Sequence, residues 1–166
     1  RLDWTQRHPE RVSALVRALY RSAQWCENPN NHEELARLLA EPRYVGAPAD
    51  ILLRGLTNKL TLGPGDPARD IPDFYVPARN VATFPWRSHA LWFYSQMVRW
   101  SQIEFDPAHV ALVEATYRPD LYRTALAPLR IDLPSEDSKI EGDPAGGSGF
   151  FDNKVFDPKD LRAYLR

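Results

Sequence analysis

The most apolar pattern in the chain lies in residues 83–101. At helical spacing its apolar positions form one wide stripe, made of Ala90, Leu91, Trp92, Phe93, Tyr94, Met97 and Val98. Only Ser95, Gln96 and Arg99 interrupt this surface. A helix that is apolar on most sides has to be covered by its neighbours, and large aromatic side chains dominate the energy of a core that holds them. The pattern predicts a central helix, with Ser88 available to cap its first turn.

Three helices are predicted before the central one. The first begins at Pro9, because proline suits the first turn of a helix, and ends near Cys26. Its apolar stripe consists of Val12, Leu15, Val16, Leu19 and Ala23. In the second helix Asn31 and Glu34 have the spacing of a capping box, and the third helix begins at Pro48. The apolar faces of these two helices are formed by Leu35, Leu38 and Leu39, and by Ile51, Leu52 and Leu56.

Two polar stretches interrupt the helical pattern. Residues 61–80 contain four prolines, which exclude a regular helix, and residues 73–76 form the best strand candidate. Residues 131–149 are rich in glycine, proline and charge and predict an exposed loop. Pro107 and Pro119 begin two further helices, and a short last helix is predicted over residues 158–165.

These elements predict a mainly α fold with one or two short strands at most. We find no internal repeat and no break that would separate two domains, so residues 1–166 are expected to form a single domain. The helices would rest on a sheet that the chain does not itself contain. The chain opens on Arg1, without an initiator methionine or an export segment, and we expect it to be a piece of a longer protein.

Composition excludes several classes of partner. With 21 basic and 22 acidic residues the net charge is −1, which argues against nucleic acid or an anionic membrane as a partner. No apolar run approaches the length of a membrane span. Cys26 is the single cysteine, so an internal disulfide is excluded.

The sequence contains no motif that predicts catalysis, a metal or a cofactor. A glycine-rich phosphate loop, paired cysteines and a zinc-protease motif are absent, and the four histidines lack the spacing of metal ligands. We therefore predict a protein that is not an enzyme. One candidate binding site remains: Trp86, Arg87 and His89 lie at the start of the central helix, where free N–H groups and the helix dipole favour an anion. Alternatively, Trp86 belongs to the core, Arg87 is solvated and Ser88 simply caps the helix.

Five stretches carry a resemblance to a known family. In chain order they are HPERVSALVRALYRSAQWCENPNN, EPRYVGAPADILLRGL, NVATFPWRSHALWFYSQMVRWSQ, ATYRPDLYRTAL and FFDNKVFDPKDLRAYL. Together they resemble the C-terminal part of the nitrate- and bicarbonate-binding proteins of ABC transporters, and of the related cytoplasmic nitrate sensors. The resemblance covers nearly the whole chain.

The resemblance implies a two-lobed α/β fold of the periplasmic-binding-protein type (type II), of which this chain is the helical C-terminal segment. A small oxyanion such as nitrate, nitrite or bicarbonate would bind between the lobes, in a pocket formed largely by residues outside this segment. If the segment contributes contacts, Trp86, Arg87 and His89 are the candidates. The protein would pass its anion to ABC transporter membrane subunits, in the periplasm or on the outer face of the inner membrane.

The family also allows a second interpretation. Related proteins act in the cytoplasm as nitrate-sensing regulatory domains, through a protein partner or fused to a transport ATPase. In either case, apolar faces left without cover could drive self-association of the segment.

Overall fold

The computed structural model describes residues 2–143, 149–150 and 152–166. The described residues form two compact units, one extending to Thr83 and the other beginning at Phe84. The sequence pattern predicts no boundary at this point. Each unit has a hydrophobic cluster of its own.

The first unit contains four α-helices and one minimal β-hairpin. The helices are α1 (Leu2–Arg7), α2 (Pro9–Glu27), α3 (His32–Leu39) and α4 (Ala49–Leu56). Strands β1 (Lys59–Leu60) and β2 (Arg69–Asp70) pair antiparallel, with Lys59 opposite Asp70. Helix α2 begins and ends within a residue of the prediction. The capping box is wrong: the Asn31 side chain makes no cap but donates to the Trp25 carbonyl at 2.8 Å.

The core of the first unit lies where α3 packs against α4. Leu35, Ala36 and Leu56 are buried there. Ile51, predicted on the apolar face of α4, is 56% exposed, and Leu53 packs on the cluster instead. The predicted strand over residues 73–76 is also wrong, because Asp73 has a left-handed backbone (φ 64°) that breaks an extended run.

The second unit is built on α5 (Arg87–Arg99). It also contains α6 (Pro107–Glu114), α7 (Pro119–Leu126) and the single-turn α8 (Leu161–Tyr164). One hydrophobic cluster of its core consists of Leu91, Tyr94, Phe156, Leu161 and Tyr164. Prolines begin α6 and α7 as predicted, and Asp106 caps α6 by accepting the Ala108 N–H at 2.8 Å. The last helix begins three residues later than predicted, because the Asp160 carboxylate caps it by accepting the Ala163 N–H at 3.0 Å.

The covered face of α5 differs from the predicted stripe. Phe93 and Met97 are 55% and 40% exposed. Ser88 and Ser95 are instead fully buried, which is tolerated because each hydroxyl is hydrogen-bonded. Ser95 Oγ donates to the Trp92 carbonyl at 2.6 Å. Ser88 faces another segment of the unit, and the predicted serine cap does not form.

The mainly α fold is confirmed. No helix of the described part combines the length and the apolar character that crossing a membrane requires.

Candidate functional site

Trp86, the first of the three candidate ligand residues, is part of the core of the second unit. Its ring centroid lies 4.7 Å from that of Phe84, edge to face, and Phe84 in turn packs on Tyr122 at 5.6 Å. The Lys139 ammonium lies 5.4 Å from the Trp86 ring centroid, within range of a cation–π interaction. The indole is thus buried against aromatic and cationic neighbours.

Arg87, the second candidate, faces a carboxylate of the same chain. Its backbone N–H donates to the Asp137 carbonyl at 2.8 Å, and its Nη2 lies 3.6 Å from Asp137 Oδ2. Arg123 approaches Asp137 from α7, with Nη1 2.6 Å from Oδ1. Arg123 also donates to the carbonyls of the three residues before Asp137, which are Pro134, Ser135 and Glu136. Two guanidinium groups therefore hold one carboxylate beside the start of α5.

His89, the third candidate, faces a second carboxylate. Its Nε2 lies 3.0 Å from Glu141 Oε1, and Lys139 Nζ lies 3.1 Å from Oε2. Ser88 Oγ donates to Glu141 Oε1 at 3.3 Å. Burial raises the pKa of Glu141, but the hydrogen bonds from His89 and Lys139 outweigh it and leave this pKa below its usual value of 4.5.

The segment of residues 134–141, which we name the strap, thus lies across the start of α5. Two of its carboxylates, Asp137 and Glu141, occupy the place where the sequence predicts an external oxyanion, close to the helix N-terminus that favours negative charge. Arg87 Nε is buried and has no hydrogen-bond partner among the described residues. That Trp86, Arg87 and His89 bind an anion stays a prediction.

Sequence patterns did not identify the carboxylates of the strap. Asp137 lies 50 residues beyond Arg87, in a stretch whose composition predicts exposed loop. Charge complementarity gives no local signal over such a separation, because nothing in the composition says which loop returns to which helix.

A second charged cluster lies at the end of α2, in the first unit. The Glu27 carboxylate accepts the N–H of Ala78 at 2.9 Å and pairs with Arg79 Nη1 at 2.6 Å. Arg79 Nη2 also reaches Asp73 Oδ1 at 2.9 Å, and both acidic partners raise the pKa of Arg79. An open pocket of about 330 Å³ adjoins this pair, lined by Tyr20, Gln24, Glu27, Asn28, Ala78 and Arg79. Because Glu27 forms part of the wall, the pocket does not offer an anion an uncompensated positive charge.

Tyr75 lies beside this cluster. Burial raises the pKa of Tyr75 to about 12, with Cys26 and Glu27 adding to the shift. The His32 ring lies edge to face with Tyr75 at 6.1 Å, and His32 Nε2 is buried without a hydrogen-bond partner among the described residues. Within the part of the chain that the structure covers, no three His, Cys, Asp or Glu side chains gather as metal ligands would.

Comparison with known proteins yields consistent relatives. No family model matches the chain. The nitrate/nitrite binding protein NrtA of Synechococcus elongatus is 31% identical over 99% of this chain and 36% of its own length. The bicarbonate-binding protein CmpA of the same organism is 28% identical over 100% of this chain and 38% of its own. The nitrate import ATP-binding protein NrtC of Synechocystis is 32% identical over 100% of this chain and 24% of its own.

A solved structure supports the same relationship. The crystal structure of the periplasmic nitrate-binding protein NrtA from Synechocystis matches 99% of this chain with a TM-score of 0.86 and 27% identity, over 42% of the NrtA chain. The chain therefore spans less than half the length of each of these relatives. Its fold is that of the helical C-terminal part of a periplasmic binding protein. The resemblance to the nitrate- and bicarbonate-binding protein family that the five sequence stretches predict is confirmed over the whole chain.

Proposed function

We propose that this chain is one segment of a solute-binding protein that captures nitrate, or a similar small oxyanion such as nitrite or bicarbonate, for an ABC transporter. One observation carries the proposal: sequence and backbone both match NrtA over 99% of the chain. A match of this extent, at a TM-score of 0.86, supports a role in the same kind of protein. The expected partners are the anion and the membrane subunits of the transporter, in the periplasm or on the outer face of the inner membrane.

Most of the anion pocket is expected outside these 166 residues. In the second unit Arg87 and Arg123 face Asp137, and Lys139 faces Glu141. An anion at this position would have to compete with carboxylates that belong to the chain. The relatives are binding and transport proteins, and we propose no catalytic role for any residue.

Calorimetric titration of the natural protein that carries this segment tests the proposal. Nitrate, nitrite and bicarbonate are each titrated, and chloride serves as the control anion. We expect saturable binding of at least one of the three oxyanions and none of chloride. Absence of saturable binding for all three would remove the proposed function.

A second function is favoured by a separate observation. The ATP-binding protein NrtC also matches the whole chain, at 32% identity. The segment would then be a nitrate-sensing regulatory domain in the cytoplasm, fused to a transport ATPase. The natural protein distinguishes the two functions: nitrate-dependent ATP hydrolysis by the purified protein supports the regulatory domain, whereas release by osmotic shock together with nitrate binding supports the periplasmic one.

A further inference from the structure

We propose that an apolar stripe, formed by Phe93 and Met97 of α5 and by Trp100 directly after this helix, is a docking face on which the remainder of a longer binding-protein chain packs permanently. This inference rests on the proposed function, because it requires the segment to belong to such a chain. It adds the surface through which the segment would join the rest of the protein.

The stripe is defined by spacing and exposure. Phe93, Met97 and Trp100 follow one another at four and three residues, which places them on one side of a helix. They are 55%, 40% and 68% exposed. The side of α5 that carries Leu91 and Ser95 is fully buried within the second unit. The helix therefore has one covered side and one uncovered apolar side.

The neighbouring helix α6 also exposes apolar side chains. Helix α6 packs against α5 and is apolar on nearly all sides, yet none of its residues is buried. Leu112 on α6 is 68% exposed. Helices that are apolar all round are normally found in the interior of a larger protein, and contiguous exposed apolar surface commonly marks an interaction site.

The chemistry of the stripe favours a permanent partner. It contains two aromatic side chains and one methionine and no charged group; Arg99 bonds elsewhere, with Nη2 3.5 Å from Asp152 Oδ2. Permanent interfaces resemble a protein core, whereas transient ones carry a larger polar share. In the matched NrtA structure more than half of the chain lies outside the matched 42%. A polypeptide of sufficient size to cover the stripe is thus present in the relative.

Met97 is a natural probe of this surface, because it is the single methionine among the 166 residues. The natural protein is treated with hydrogen peroxide, and the oxidation of Met97 is followed by peptide mass spectrometry, folded and in guanidinium. A Lys159→Met variant adds an exposed reporter on the same unit. We expect Met97 to be oxidised at least tenfold more slowly than the reporter in the folded protein, and at the same rate in guanidinium.

Three results would overturn the inference. The first is oxidation of Met97 and the reporter at equal rates in the folded protein. The second is loss of the protection of Met97 on dilution, which would assign the docking face to a second copy of the protein. The third is protection of Met97 only in the presence of transporter membranes, which would assign the docking face to the transporter. Nitrate titration of the same sample separates this inference from the proposed function. Saturable nitrate binding with unprotected Met97 overturns the docking face alone, whereas protection without anion binding leaves the docking face and removes the transport function.

Discussion

Ser88 Oγ, in the first turn of α5, lies 3.3 Å from Glu141 Oε1, a residue 53 positions further along the chain. The same hydroxyl accepts the Lys139 N–H at 3.3 Å. Ser88 is fully buried between the helix and the strap, and a hydroxyl that both donates and accepts explains why a polar side chain is stable there. The contact holds Glu141 beside His89, whose Nε2 lies 3.0 Å from the same carboxylate.

Acid is expected to weaken the attachment of the strap. The pKa of Glu141 lies below 4.5 in the folded protein, so the unfolded chain binds the proton more readily. The stabilisation is therefore complete above about pH 4.5 and is lost as the pH falls through the folded pKa. Replacing a partly buried carboxylate that accepts charged hydrogen bonds costs about 1–3 kcal/mol, so Glu141→Gln should lower the free energy of unfolding by this amount at pH 7, and by less at pH 3.

The matched control for this prediction is Glu136→Gln, because it makes the same change of charge at an exposed strap residue. Urea unfolding of the three proteins between pH 3 and pH 7 provides the measurement. Equal losses for Glu141→Gln at pH 7 and pH 3 would show that the carboxylate charge contributes nothing to stability.

Substitutions at the candidate anion residues are expected to lower stability without weakening nitrate binding. Arg87 and His89 face Asp137 and Glu141, and an anion would have to displace these carboxylates. In the natural protein we therefore expect Arg87→Gln and His89→Gln to change the nitrate Kd by less than about threefold, a difference of under 1 kcal/mol, while the melting temperature falls. Arg54→Gln, at an exposed arginine of α4, controls for the loss of one positive charge.

Calorimetric titration measures the nitrate Kd of these variants, and thermal unfolding measures their melting temperatures. A tenfold or greater loss of nitrate affinity in Arg87→Gln or His89→Gln, with Arg54→Gln unchanged, would assign anion binding to the start of α5, as the sequence predicts.

Two neighbouring residues of α5 are expected to differ sharply in their contribution to stability. Leu91 is fully buried, and Leu→Ala at such a position costs about 2–5 kcal/mol. Phe93 is 55% exposed, so Phe93→Ala should cost less than about 1 kcal/mol in the 166-residue chain. Denaturant unfolding of both variants measures the difference, and a similar loss for the two would show that the exposed stripe is covered in solution.

Gly142 is expected to tolerate no side chain. Its backbone is left-handed (φ +73°), and an added Cβ would lie 2.8 Å from the Lys154 carbonyl oxygen and against the Phe150 ring. Gly65 has a similar backbone (φ +85°) with open space around it, so Gly65→Ala isolates the backbone cost of about 1–2 kcal/mol. Overpacking should cost Gly142→Ala about 1–3 kcal/mol more, and equal unfolding free energies for the two variants would contradict the close packing.

The family resemblance and the positions of most helices could be predicted from the sequence, whereas α1 was not predicted. Pro9, Pro107 and Pro119 begin helices as expected, since proline fixes its own backbone torsion and lacks the N–H that a first turn leaves unpaired. The mainly α fold follows from the same local signals. Such features depend on a few consecutive residues and need no knowledge of distant contacts.

Burial was decided by the tertiary structure. The apolar pattern of α5 predicts burial for both Leu91 and Phe93, but only Leu91 packs in the hydrophobic cluster that contains Phe156 and Tyr164. By hydropathy Ser88 and Ser95 are unsuited to burial, yet their hydrogen bonds make burial possible. Hydropathy describes the polarity of a side chain but does not identify the residues that will contact it in the folded protein.

The candidate site shows the same division. The sequence alone placed Trp86, Arg87 and His89 at a helix start, where an anion is favoured. Only the tertiary structure brought Asp137 and Glu141 to that place, because the return of a loop over fifty residues is set by the packing of the whole unit. The sequence thus determined where positive charge would gather, and the fold determined which negative charge it would meet.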